Sequence, residues 1–444
     1  MNNDEYDVII VGSGASGATL ARELAKRRLK VLLLERGADI ALSEKLGTIA
    51  AIAREFPVGD GMKATTAFTV GGSTSIYFGV CKLPTAESFD RLGIDLGAEL
   101  AQVRRELPLA EVSDEFLAPQ SRLVCDSARQ LGFPMKIHPM LIDRARCPDG
   151  GYSYEAKWKA KDYIDEAVAD GAALVSRAKL TRVIVEDGCA VGVEYEHRQG
   201  AFGARKRTAY GKRIVLSAGS PATPKLLIDA GVKDVGKRGF FCKPAFMVFG
   251  TIPGLQGRDA FLGMTECDLG NGVTLGDGAM TSSLFKLFML SNLKLTRLFS
   301  HASTVSVAVA LNDDCSGEIT PDGGYRKQLS AGERARLAEA EAVAVRILQQ
   351  AGARNIFRSR MVAGTPGGVL RVGEHLDQNL QTSIRNLYVC DQSVVPDVKI
   401  TPLIMLVCLA RRLACYLADS LADSLQPGEQ SAGRPTRDQA QAVA

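Results

Sequence analysis

Two glycine-bearing stretches have the residue types and spacing to hold or meet a ligand. The first is DVIIVGSGASG, in which Gly12, Gly14 and Gly17 are spaced GxGxxG. A continuous aliphatic run precedes them, the helix-patterned ATLARELAKRR follows, and KVLLLERG then reads as a second buried strand ending in Glu35, eighteen residues after Gly17. In that setting Gly12 makes a tight turn, Gly14 lets the backbone approach a pyrophosphate, and Gly17 lets the helix pack closely on the strand. The free N–H groups and dipole of the helix N-terminus favour the anion. Glu35 would accept from a free ribose 2′-OH and repel a 2′-phosphate. The pattern predicts a dinucleotide site.

The second stretch is AGTPGGVLRVG, Ala363 to Gly373, which lies ahead of the strand-like NLYVCD. A loop of this make is expected to approach a ligand closely. It holds no His, no Cys and no carboxylate. A Thr hydroxyl such as Thr365 does not ionise near neutral pH, so it is no base. Arg371 and Lys399 are cations close in sequence, able to hold a carboxylate or stabilise an anion. A third loop, TAFTVGGSTSIYFGV, brings Gly71 and Gly72 for close backbone approach and Ser73, Thr74 and Ser75 as donors to phosphate or ring oxygens.

These loops must be positioned by larger elements. AKWKAKDYIDEAVAD, Ala156 to Asp170, is an amphipathic helix with Trp158, Tyr163, Ile164 and Val168 as its apolar positions. From Ala173 the pattern alternates with period two and breaks at EDG, a hairpin. KRIVLSAGSPATPKLLIDAGV gives strand, glycine turn and helix, with IVLSAG returning to the first sheet. Ser330 to Ala351 is a helix ended by Gly352, and an apolar helix starts near Pro402. Residues after Gln426 read as a disordered tail. SLFKLFMLSNLKLTRLFS, Ser283 to Ser300, is expected to be one apolar helix with Lys286, Lys294 and Arg297 on one arc. It is packed on the substrate domain, or else a lid or membrane-surface helix serving a lipophilic substrate.

With 444 residues the chain is expected to form two domains. Net charge is +4, thinly spread, which speaks against nucleic acid. Ten cysteines without a CxxC predict reduced thiols, with Cys390, Cys408 and Cys415 buried. MNNDEYDVII has no basic n-region, and the longest apolar run, PLIMLVCLA, is nine residues. A cytoplasmic setting is the expectation, with no metal site.

A second GxGxxG is absent, which speaks against a separate nicotinamide domain. In order and spacing the segments resemble the glucose-methanol-choline (GMC) oxidoreductases. VGSGASG…LLLERG is similar to that family's ADP-binding motif, VGGSTSIYFG to its first signature, SAGSPATPKLLIDAG to its second, and NLYVCDQSVVPDVKITPLIMLVCLARRLA to its C-terminal flavin segment. The resemblance implies an α/β fold: a Rossmann-like FAD-binding domain with a parallel sheet and β-hairpin crossover, and an α+β substrate domain with an antiparallel sheet. The FAD domain would comprise residues 1–85, 172–235 and 376–425, and the substrate domain 86–171 and 236–375.

It also implies roles. Gly12, Gly14, Gly17 and Glu35 would serve the ADP moiety, and Gly71, Gly72 and Ser73 the pyrophosphate–ribityl region. The Val183 backbone would meet adenine, Asp391 and Gln392 the ribityl chain, and Pro402 and Leu403 the flavin pyrimidine edge. The sequence departs from the family at Tyr77, where Asn or His is usual, and at the active-site loop. There the family's His falls on Thr365 or, in another alignment, Met361, and its partner falls on Thr401. Three readings stay open: an FAD-dependent oxidoreductase of a small or lipophilic substrate with a displaced base and an electron acceptor of open class; a flavoprotein of other chemistry, such as a desaturase, isomerase, lyase or decarboxylase; and a non-catalytic flavin-binding subunit.

Overall fold

The computed structural model describes residues 5–148, 151–199, 203–220 and 222–423. The tail expected after Gln426 lies outside them.

The aliphatic run near the N-terminus forms the strand Glu5–Val11, whose Val8, Ile9 and Ile10 are wholly buried. Such a run is the mark of a strand covered on both faces. It pairs in parallel with Val31–Leu34 on one side and with Ala204–Leu216 on the other. Ala173–Val175 extends the sheet beyond Val31–Leu34, and Leu387–Val389 adds a parallel strand to Ala204–Leu216. Period-two alternation from Ala178 gives the antiparallel strands Ala178–Glu186 and Cys189–Arg198, turned at Asp187 and Gly188 and joined to the start of Ala204–Leu216. This seven-stranded sheet is the Rossmann-like half with its hairpin crossover.

The helix Ala15–Lys26 covers one face of the sheet and packs on the helices Ala160–Ala169 and Pro402–Asp423. Charges staple these helices at their rim. Arg22 reaches Glu166 at 2.6 Å, and Arg411 reaches Glu23 at 3.2 Å and, at the end of a further helix Gly97–Glu106, Glu106 at 2.7 Å. The helix Ala160–Ala169 is shorter than its sequence pattern. Trp158 lies before it, buried edge-on against Tyr163, while Val168 is exposed and takes no part in the apolar face.

A second sheet has nine strands and is mainly antiparallel. Its path runs Ala53–Gly59, Met62–Ala67, Val362–Ala363, Pro244–Thr251, Thr304–Leu311, Val273–Asp277, Thr265–Asp268 and Lys136–Ile137, with Arg354–Arg358 pairing Pro244–Thr251. The hairpin 53–67 belongs to this sheet, although it precedes the first glycine-and-hydroxyl loop in the chain. The helix Ala331–Gln350 lies against the sheet. Its start is a capping box between Ser330 and Glu333, and Gly352 follows its end at φ +79°.

The expected helix across residues 283–300 is broken. Ser282–Ser291 is helical, Leu293 takes φ +57°, and Leu295–Arg297 is a separate 3-10 turn. The cations do not share one arc. Lys294 and Arg297 stack on Phe357, while Lys286 lies over Phe299. Leu293, Leu295 and Phe299 are left exposed, Phe299 at 90%. Cys390 and Cys408 are buried as expected, but Cys415 is exposed and accepts from Arg27 Nη2 at 3.2 Å, because it sits on the outer face of the last helix.

One ion cluster lies inside the second half. Lys327 is fully buried between Asp313 at 3.1 Å and Asp314 at 2.5 Å, with Glu333 at 3.9 Å. Asp313 also accepts from the Cys242 N–H at 3.3 Å, so the cluster fixes the lead into the strand Pro244–Thr251. Removing one member of a buried pair leaves an uncompensated charge. Lys327→Met is therefore expected to cost about 3–5 kcal/mol of stability, read as a lowered urea midpoint; a midpoint equal to wild type would show that the cluster contributes nothing.

Candidate functional site

The first glycine loop is held by contacts that only glycine allows. Gly12 has φ +101°, and a Cβ there would sit 2.3 Å from the Ser217 carbonyl oxygen. A Cβ on Gly17 would lie 1.9 Å from the Gly12 oxygen. A Cβ on Gly14 would meet nothing within 4 Å. Gly12 and Gly17 thus lock strand, helix and the SAG turn together, while Gly14 faces open space at the helix N-terminus.

Ser13, between two of these glycines, links three segments. The Gly71 N–H donates to Ser13 Oγ at 3.2 Å, and the Ser13 hydroxyl donates to Glu35 Oε2 at 2.5 Å. The Ser13 N–H reaches the same oxygen at 3.1 Å, and the Gly37 N–H donates to Oε1 at 2.6 Å. Burial pushes the Glu35 carboxyl upward, against these donors. Among the described residues Oε1 accepts one hydrogen bond, which leaves it further acceptor capacity.

The loop Thr66–Val80 turns at Gly71, with φ +94°, into the 3-10 turn Gly72–Ser75. Thr74 Oγ1 donates to the Gly71 carbonyl at 2.6 Å and accepts from the Ala160 N–H at 3.0 Å, so Thr74 braces the loop instead of facing a ligand. Ser73 is the exposed hydroxyl, bonded to the Ala67 N–H at 3.2 Å. Tyr77 donates to the Leu141 carbonyl at 3.2 Å, and burial raises its phenol. Val183 pairs with Val193 in the outermost strand of the first sheet, whose other backbone edge carries no strand among the described residues.

The third and fourth segments meet at Asp391. Its buried carboxylate accepts from the Gly219 N–H at 2.9 Å, the Thr223 hydroxyl at 2.5 Å and the Ser393 N–H at 2.9 Å. Burial raises this carboxyl as well, and the three donors oppose that shift. Asp391 therefore ties the SAG turn and its helix to the C-terminal segment, with Gln392 partly exposed next to it. Thr401 and Leu403, both partly exposed, flank the first residue of the helix Pro402–Asp423.

The loop 363–370 is pinned against both of these segments. The Ser220 hydroxyl donates to the Pro366 carbonyl at 2.5 Å, and the Leu370 N–H donates to the Ser393 carbonyl at 2.9 Å. Phe241 and Gly367 exchange backbone bonds of 3.1 and 3.0 Å. A Cβ on Gly367 would lie 2.7 Å from the Gln392 oxygen. Thr365 is partly exposed at this junction. Lys399 is exposed, which is the setting of a solvated cation. His375 accepts from the Arg371 N–H at 3.2 Å and packs on the Asp234 carbonyl, and His301 pairs with the Met280 carbonyl. His138 lies 3.8 Å from Glu266, and His197 is on the hairpin strand Cys189–Arg198. None of the four histidines is in the loop. Sequence reasoning passed over Lys243, which neighbours Gly364; its only signal was a lysine directly before Pro244 at the head of an apolar strand.

The profile of the GMC oxidoreductases matches residues 6–240, more than half of the chain. The chain belongs to the GMC oxidoreductase family. An uncharacterised GMC-type oxidoreductase of Mycobacterium tuberculosis is 28% identical over 51% of this chain and 39% of its own length. A long-chain-alcohol oxidase of Arabidopsis thaliana is 24% identical over 80% of this chain and 54% of its own. The chain thus spans about two-fifths to half the length of these relatives. Among solved structures, pyridoxine 4-oxidase from Mesorbium loti superposes with a TM-score of 0.71 at 16% identity, over 93% of this chain and 99% of that one. Both sheets follow this GMC oxidoreductase architecture.

The cofactor of GMC oxidoreductases is FAD, and the residues present fit it. Gly14 leaves open space in which a phosphate could approach, and among the described residues Ser217 Oγ and Gln392 Nε2 are buried polar atoms without a hydrogen-bond partner. Gly17, packed against the Gly12 carbonyl, and Gly14, facing open space, are thereby separated in their effects. Gly17→Ala is expected to lower stability by roughly 3 kcal/mol through overpacking, whereas Gly14→Ala should lie within about 1 kcal/mol of wild type but be purified with little flavin. Thermal melts and flavin absorbance of the two variants check this.

Proposed function

We propose that the chain is an FAD-dependent oxidoreductase that oxidises the hydroxyl-bearing carbon of an organic substrate at the face closed by residues 363–370. The observation that carries this reading is the convergence of that loop on the SAG turn and the C-terminal segment, through Ser220, Gln392 and Ser393. FAD, when bound, supplies the two-electron acceptor.

The chain's own residues bind and orient. The helix N-terminus after Gly14 and the Gly71–Ser73 turn would hold the pyrophosphate, Glu35 the ribose, and the Val183 backbone the adenine. Gln392 would reach the ribityl chain, and the N-terminus of Pro402–Asp423, beside Thr401 and Leu403, would favour negative charge on the reduced ring. Thr365 would hydrogen-bond a substrate hydroxyl without removing its proton. Lys399 would serve only as an entry-side cation.

For substrate we propose an alcohol with an apolar body. Similarity to long-chain-alcohol oxidases supports this, as do the exposed Leu293, Leu295 and Phe299 set among Lys294 and Arg297. Contact of residues 283–300 with a membrane surface is part of the same proposal. Among the described residues, no helix is long and apolar enough to cross a membrane. A second reading, chemistry other than alcohol oxidation on the same cradle, is favoured by the absence of any imidazole from the loop.

Anaerobic mixing of the flavin-loaded protein with primary alcohols of rising chain length tests both readings. Bleaching of the flavin that quickens with chain length is the expected result, together with flotation on anionic liposomes. No bleaching by any alcohol, with product still formed from another substrate, would leave the second reading.

A further inference from the structure

Lys243 is the least explained residue near the loop. It has φ +44°, a left-handed backbone that lysine rarely adopts, and it directly precedes Pro244, which narrows its choices further. Non-glycine residues persist in such conformations only when their surroundings over-determine them, and they cluster at functional sites. Here the surroundings are the loop itself. The Gly364 N–H donates to the Cys242 carbonyl at 2.8 Å and to the Lys243 carbonyl at 3.1 Å, and Pro244 pairs with Ala363. A Cβ built on Gly364 would touch the Lys243 Cβ at 3.7 Å and Cγ at 3.9 Å. The lysine stem therefore runs alongside Gly364, next to Thr365, where the loop has no side chain of its own.

Among the described residues the Lys243 amine has no hydrogen bond and no ion pair. The other charges around it are already engaged: Lys82 holds Glu266 at 2.5 Å, and His138 lies 3.8 Å from the same carboxylate. On the backbone side, Asp313 is bound to Lys327. Burial and the Lys82 charge hold the Lys243 ammonium below the usual lysine range, and Glu266 opposes them. The same shift is what a lysine needs to carry a free lone pair near neutral pH.

We propose that Lys243 is the general base of this site, supplying from the neighbouring strand the proton acceptor that the loop lacks. It rests on the alcohol-oxidation reading above. The substrate O–H bond breaks and its proton goes to the neutral Nζ. The carbinol C–H bond breaks with its electron pair, which goes as hydride to the oxidised FAD. A C=O bond forms, and the FAD is reduced by two electrons. The Thr365 hydroxyl orients the substrate oxygen between loop and amine.

Two measurements on the flavin-loaded protein test this. The first is independent of turnover: labelling with acetic anhydride across pH, read by mass spectrometry, with exposed Lys399 as internal reference. Lys243 should reach half-labelling at least one pH unit below Lys399; labelling in step with Lys399, or none up to the pH at which Lys399 is fully labelled, overturns the proposal. The second is the anaerobic rate of flavin bleaching by an alcohol in Lys243→Met, which keeps the stem, and Lys243→Asn, which tolerates a left-handed backbone. Both should retain wild-type flavin content and lose about 10²–10⁴-fold in rate. The wild-type rate should rise with pH through a single ionisation, and that limb should vanish in the variants. A rate within threefold of wild type with the limb intact overturns the role of Lys243 and leaves the oxidation reading standing. A wild-type flavin that no alcohol bleaches overturns both.

Discussion

The buried carboxylate of Asp391 is the constraint on which the site depends. It is the point where the turn after Ala204–Leu216 and the segment after Leu387–Val389, more than 170 residues apart in the chain, become one surface. An unpaired carboxylate in that position would be prohibitively costly to desolvate. Three donors from both segments meet it, so neither segment can shift without stranding the charge. Among the described residues the loop 363–370 has no comparable anchor of its own. It takes its position second-hand, from Ser220 on one segment and Ser393 on the other.

The Ser13–Glu35 relay plays the matching part at the other end of the cradle. It joins the first glycine loop to the second through a serine that the glycine pattern treats as a free position. Both hubs are buried acids whose ionised form is disfavoured by burial, a shift that hydroxyl and backbone donors oppose. A cradle built this way is rigid before any ligand arrives, which limits the ordering that binding must impose.

Much of the first half was legible in the sequence because its signals are local. Continuous aliphatic runs, glycines at fixed intervals and a strand-ending acid specify a parallel strand, a turn and a helix without reference to distant residues. The hairpin, the capped helix at Ser330 and the C-terminal helix were legible for the same reason. What was lost is non-local. Residues 53–67 alternate as strands of either sheet would, and only pairing with Val362–Ala363 assigns them to the second. The helix through residue 300 failed because Leu293 turns left-handed, which no apolar pattern encodes. Lys243 was invisible because a lysine before proline resembles any strand entrance. Its significance lies in a backbone angle and in the neighbour it touches 121 positions away.

The parallel strand Leu387–Val389 completes the first sheet from near the far end of the chain. During synthesis, the strand Ala204–Leu216 must wait for about 170 further residues to emerge before its neighbour exists. In that interval one edge of an aliphatic strand is bare, the Asp391 hub is absent, and the entire second half is folding nearby. Long-range parallel pairing is slow and exposes aggregation-prone edges. The chain therefore has a late point of commitment, at which sheet closure and completion of the cradle coincide. A complete cradle is in this sense available only once the last strand of the sheet has paired.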